Sequence, residues 1–159
     1  MKKIIVFFLL LALLCVFNAY ALDFKIVNMR DNIFEQSKAI KALMDPKYKN
    51  NTLLISMFDS CLSAVMQLDA YFSMLGIYES MGKAGSSDEA IKFIASWLNQ
   101  IKSTNAISIQ NLDAVTKPEP KIKLEIKKLK DNLVSLNALI DAELNKFVAL
   151  KVSEKKQNK

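Results

Sequence analysis

Residues 52–81 constrain the fold more than any other stretch. Leu54, Phe58, Cys61, Val65, Leu68, Phe72 and Leu75 recur at alternating steps of four and three. That spacing keeps one side of an α-helix apolar. Met57, Ala64, Tyr71 and Tyr78 make a second row beside it at intervals of seven. A face this wide needs several packing neighbours. Ser56, Ser60, Ser63, Gln67, Ser73 and Ser80 fall mostly on the other side, which is therefore expected to be wet.

The rest of the chain offers such neighbours. A first helix is expected from an Asp23 cap to about Met44, with Ile26, Met29, Ile33, Ile40 and Leu43 on its seam and Gln36 at the one polar seam position. Asp45-Pro46 stops it, because proline cannot donate and pushes its predecessor out of the α region. Gly82 and Gly85 end the second helix. Ser86 and Glu89 then stand at capping-box spacing and start a third, with Ile91, Ile94, Leu98 and Ile101 as its seam. Ser103, Thr104 and Asn105 compete for backbone hydrogen bonds, so a kink or break is expected there. The last helix follows Pro118-Glu119-Pro120, runs to about Val152, and uses Ile122, Ile126, Leu129, Leu133, Leu136, Ile140, Leu144 and Phe147. The four-residue step from Ile140 to Leu144 departs from the heptad.

The expected fold is therefore all-α: an up-down-up-down four-helix bundle over 22–152, with a frayed charged tail at 153–159. Helices two and four, the longest, are expected to be the core pair. A helical hairpin that completes its core by forming a homodimer is the structural alternative. Only three glycines and three prolines occur in 159 residues, which suits long helices with few turns.

Residues 1–21 have the form of a cleaved, Sec-type signal peptide. Lys2 and Lys3 precede an apolar run from Ile4 to Phe17, and Ala19-Tyr20-Ala21 fits a small-x-small cleavage site. Leu14 before Cys15 is too large for a lipobox. A bacterial periplasm or the exterior is the expected destination. Removing 21 of the 159 residues leaves 138, enough for one domain. Without Lys2 and Lys3 the net charge falls from +6 to +4, which argues for solubility and not for nucleic acid. Cys61 would be the one remaining cysteine, so no internal disulfide forms and the thiol is expected to sit in the core.

Chemistry is hard to find. The chain has no histidine, which removes the commonest general base and metal ligand. No phosphate-binding loop, nucleophile elbow or haem attachment motif occurs, so no enzyme activity, cofactor, metal site or catalytic residue is expected. Asp59 and Asp69 point roughly 80° apart on one helix and lie about 15 Å apart along it, too far for a catalytic pair. Asp131, Asp141 and Glu143 are expected to be surface charge.

Two features could bind something. Met57, Phe58, Met66, Tyr71, Phe72, Met74 and Tyr78 could line an apolar groove or cavity, although a methionine and aromatic stripe at helical spacing is more often core. Lys121, Lys123, Lys127, Lys128 and Lys130 could form a basic docking face for an acidic partner; an anionic membrane surface is less favoured, and a solvated helix surface is the plainer reading. The function expected on these grounds is an exported helical bundle that works by binding an envelope protein, as an adaptor, inhibitor, immunity-type or chaperone-like factor. A carrier of an apolar small ligand is the alternative.

Overall fold

A computed structural model of the protein describes residues 24–44, 51–81 and 87–157. Among them are four α-helices and no strand: α1 over 24–43, α2 over Asn51–Met81, α3 over Ser87–Asp113 and α4 over Pro120–Gln157. They build an all-α four-helix bundle. The expected leader, the Asp23 cap, the Asp45-Pro46 stop, the glycine turn at 82–85 and Ser86 of the capping box lie outside the described residues. Helix α4 continues past its expected end near Val152.

Each helix turns one apolar stripe inward. Ile26, Ile33 and Ile40 of α1 meet Leu54, Met57, Cys61, Leu68 and Tyr71 of α2, Ile94, Leu98 and Ile101 of α3, and Leu129, Leu133, Leu136 and Ile140 of α4 in one core. Burying each aliphatic side chain is worth about 1.5–3 kcal/mol, which carries helices of modest intrinsic stability. On α2 the deepest line combines parts of both expected rows: Met57, Cys61, Ala64, Leu68 and Tyr71 are buried, while Phe58, Phe72 and Leu75 are half-buried flanks.

Helices two and four are not the closest pair. Of the three pairings among α2, α3 and α4, α2 and α4 approach each other least, and α3 packs along both. Length does not decide adjacency in a bundle; short connections put chain neighbours side by side. Helices α1 and α2 are tied by Arg30, whose Nε and Nη2 donate to the two carboxylate oxygens of Asp69 at 3.0 and 3.1 Å. Asp69 first, then Asp31, raises the Arg30 pKa further above its usual value. Phe34 supports the guanidinium, 5.3 Å from its ring centre.

Helix α3 is unbroken from Ser87 to Asp113, so the expected break at 103–105 does not occur. The Ser103 and Thr104 hydroxyls fold back onto the carbonyls of Asn99 and Gln100, each at 3.0 Å, without displacing the helix. Asn105 points into the bundle and its Nδ2 donates to Asn137 Oδ1 of α4 at 2.9 Å. Tertiary pairing thus outweighs a weak local propensity. Lys102–Asp141 and Lys130–Asp113 flank that contact as ion pairs. Together the three contacts show that α3 and α4 run antiparallel.

The α3–α4 connection spans 114–119. Lys117 adopts a left-handed backbone with φ 51° just before Pro118. The Glu119 carbonyl accepts the first helical bond of α4, from Lys123 N at 2.8 Å. Pro120 therefore sits where a missing N–H costs nothing.

Candidate binding surfaces

The bundle interior holds more polar chemistry than its seams suggest. Glu143 is buried, and its Oε1 accepts from the Tyr71 hydroxyl at 3.1 Å. Its Oε2 has no hydrogen-bond partner; Lys146 Nζ stands 3.4 Å away as an ion pair. Glu143 is therefore not the surface charge expected from its carboxylate. With Glu143 admitted, the α4 seam runs Ile122, Ile126, Leu129, Leu133, Leu136, Ile140, Glu143 and Phe147 without a register fault, and Leu144 becomes a half-buried flank. An unbroken heptad was the available signal, hidden because one of its members is a carboxylate.

A second polar layer lies between α1 and α4. Gln36, expected as a polar seam residue, is buried. Its Nε2 donates to the Glu125 carbonyl at 3.0 Å, and its Oε1 accepts from Asn132 Nδ2 at 2.8 Å. Glu125 is itself buried; its Oε1 pairs with Lys128 at 2.8 Å, and its Oε2 has no hydrogen-bond partner. Cys61 is buried as expected. Burial first, and the nearby Glu125 charge second, push its thiol up to about 12. A thiol so poor in thiolate is a packing group and a weak nucleophile.

An open groove of about 520 Å³ runs over this layer, with Glu35, Glu125 and Asp131 against Lys128. A second, more apolar groove of about 430 Å³ continues along α1 and α4 past Met29 and Leu139. A third, of about 600 Å³, lies between α2 and α3, where Asp59, Leu62, Met66, Gln67 and Ala70 meet Trp97. Trp97 Nε1 donates to the Gln67 carbonyl at 3.1 Å and forms its wall.

The seven residues considered for an apolar groove do not share one surface. Met57 and Tyr71 are core. Phe58, Phe72, Met74 and Tyr78 are half-buried against that core, with the Tyr71 and Phe72 rings 5.6 Å apart. Met66 lies about 180° around α2 from Met57 and is 70% exposed, lining the α2–α3 groove.

The outward side of α2 is also less wet than its serines suggested. Ile55, Met66 and Ile77 are 44%, 70% and 58% exposed. Eleven residues make just over three turns, so these three fall within about 40° of one line. Leu62 and Ala70 sit between them, half-buried. Two of the serines turn their hydroxyls to the helix itself: Ser60 to the Ser56 carbonyl and Ser73 to that of Asp69, both at 2.9 Å. By length and composition Asn51–Tyr78 is apolar enough to cross a membrane; in the bundle it carries apolar residues on both its inner and its outer side. Sequence reading missed this outer row because the inner heptad dominated the pattern.

The five lysines divide between two flanks of α4. Lys128 borders the α1 groove with Lys121 about 20° away around the helix. Lys123, Lys127 and Lys130 lie on the other flank, where Lys130 pairs with Asp113 of α3. Among the described residues no group of three or more His, Cys, Asp and Glu side chains is placed to hold a metal ion. No protein-family model, curated protein or solved structure matches the chain.

Proposed function

We propose that this is an exported helical bundle that works by protein–protein contact, and that the outward row of α2 is its contact surface. The observation that carries this reading is the line of Ile55, Met66 and Ile77, more than a third exposed at each position. Scattered apolar residues are ordinary on a surface; three aligned along one helix, with Asp59 and Ser73 interspersed, make a mixed strip and not a random scatter. Over 22 residues the row extends about 33 Å. Leu62, Ala70 and the Trp97 wall fill the space between its exposed members. Methionine at its centre suits an adaptable apolar contact. No lysine or arginine occurs anywhere in α2, so nothing on the row attracts an anionic membrane surface. Export rests on the leader-like residues 1–21.

A photo-crosslinking amino acid at position 66, installed in the full-length protein in cells, tests this. Covalent adducts to protein are expected at 66 and not at position 134, where Val134 is exposed on the outside of α4. Equal yields at both positions, or none at either, would reject the α2 surface.

A further inference from the structure

We infer that the partner of the α2 row is a second copy of this chain, bound antiparallel about a two-fold axis at Met66. This rests on the contact surface proposed above and names its occupant. The row in full is Ile55, Asp59, Leu62, Met66, Ala70, Ser73 and Ile77. Its steps of four, three, four, four, three and four are the same from either end. A two-fold contact is isologous, so each position must suit its mirror position.

In the antiparallel arrangement Ile55 of one copy meets Ile77 of the other, at both ends. Leu62 meets Ala70, a large residue against a small one, which lets the helices approach closely on both sides of the axis. Asp59 meets Ser73, an uncharged residue whose hydroxyl already donates to the Asp69 carbonyl. Met66 meets itself on the axis. The two Asp59 carboxylates lie fourteen residues apart along the helices, about 21 Å, beyond the Debye length of about 8 Å at physiological salt. A parallel pairing would set Asp59 on Asp59 and leave Ala70 opposite Ala70, combining like charge with a gap.

A strip about 33 Å long and about 10 Å wide covers about 330 Å² per copy. Trp97 borders it from α3, and Phe93, one turn earlier on α3, is exposed. The two strips together cover about 660 Å², to which these aromatic rings add, so the contact falls at the small end of specific interfaces. The dimer is therefore weak and concentration-dependent. It uses neither α1 nor α4, so the groove over Gln36 and Glu125 stays open in each copy.

Single cysteines in the full chain test the geometry. Cys61 is buried and contributes no background. Under mild oxidation, purified Met66→Cys is expected to form a disulfide-linked dimer by itself. Ile55→Cys and Ile77→Cys are each expected to stay uncrosslinked alone and to crosslink when mixed. Circular dichroism melts matching the parent confirm that these exposed substitutions leave the fold intact. No dimer of Met66→Cys, or Ile55→Cys crosslinking to itself as readily, would overturn the antiparallel pairing. If position 66 captures only other proteins in cells and Met66→Cys forms no dimer, the contact surface stands and the self-partner falls. If position 66 also captures nothing, both fall.

Discussion

Replacing Tyr71 by phenylalanine tests whether α2 and α4 meet through a buried carboxylate. The ring stays, so no cavity opens. The lost group is the hydroxyl that donates to Glu143 Oε1 at 3.1 Å. Glu143 is 5% exposed, and Lys146 at 3.4 Å would be left as its nearest charged neighbour. A hydrogen bond to a charged group is worth about 1.5–3 kcal/mol, and a buried acceptor left without its donor incurs a desolvation cost of similar size. Tyr71→Phe should therefore lose about 2 kcal/mol, or roughly 4–8 °C in melting temperature for a domain of this length. Glu143→Leu removes the charge instead and puts an aliphatic group on the heptad position. That substitution also takes the carboxylate acceptor from the buried Tyr71 hydroxyl, a cost of about 1–3 kcal/mol. In the Glu143→Leu background, Tyr71→Phe should cost almost nothing. Urea unfolding followed by far-ultraviolet circular dichroism gives all four corners of the cycle. A Tyr71→Phe cost below about 0.5 kcal/mol in the parent, or an equal cost in both backgrounds, would refute the pairing.

Three further outcomes follow from single positions. Gln36→Ala should cost about 2 kcal/mol, because two hydrogen bonds go, and Asn132→Ala about half as much; the reverse order by urea titration would show that Gln36 does not organise the α1–α4 layer. Gly76→Ala should stabilise by about 1 kcal/mol by thermal melt, since Gly76 is helical and an added Cβ meets nothing within 4 Å; a loss would mean that the outer surface there is not open. Cys61 should resist alkylation in the folded protein and react in urea. Its thiol is raised from 9.0 to about 12 in the fold, so its contribution to stability is intact below pH 9.0 and lost as pH rises towards about 12; rapid alkylation of the folded protein would place the thiol at the surface.

Much of the bundle could be read from spacing alone. Three–four periodicity put Ile26, Ile33 and Ile40, Leu68, Leu98 and Leu133 on inner faces, and all are buried. Gln36 was legible as the one polar residue on an otherwise apolar seam. What spacing does not supply is depth or pairing. Glu143 has seam phase, but its carboxylate suggested the surface until Tyr71 came to meet it from another helix. Asn105 weakens α3 locally and looked like a break; its partner Asn137 lies 32 residues away. Helix lengths suggested that α2 and α4 pack together, whereas adjacency follows the short connections. The outward row of α2 was present in the sequence at eleven-residue intervals. It was masked because serines within and beside it looked like a wet face, and two of them, Ser60 and Ser73, spend their hydroxyls on their own helix.

Sedimentation equilibrium of the parent and Met66→Lys, purified side by side from cells expressing the full chain, bears most directly on whether the α2 row binds a second copy of the chain. The parent should shift from one to two chain masses as concentration rises. Met66→Lys should remain at one chain mass with an unchanged melt, because a buried lysine on the axis would face its own copy. A parent that stays at one chain mass throughout, or a Met66→Lys variant that dimerises equally well, would contradict a self-contact centred on α2.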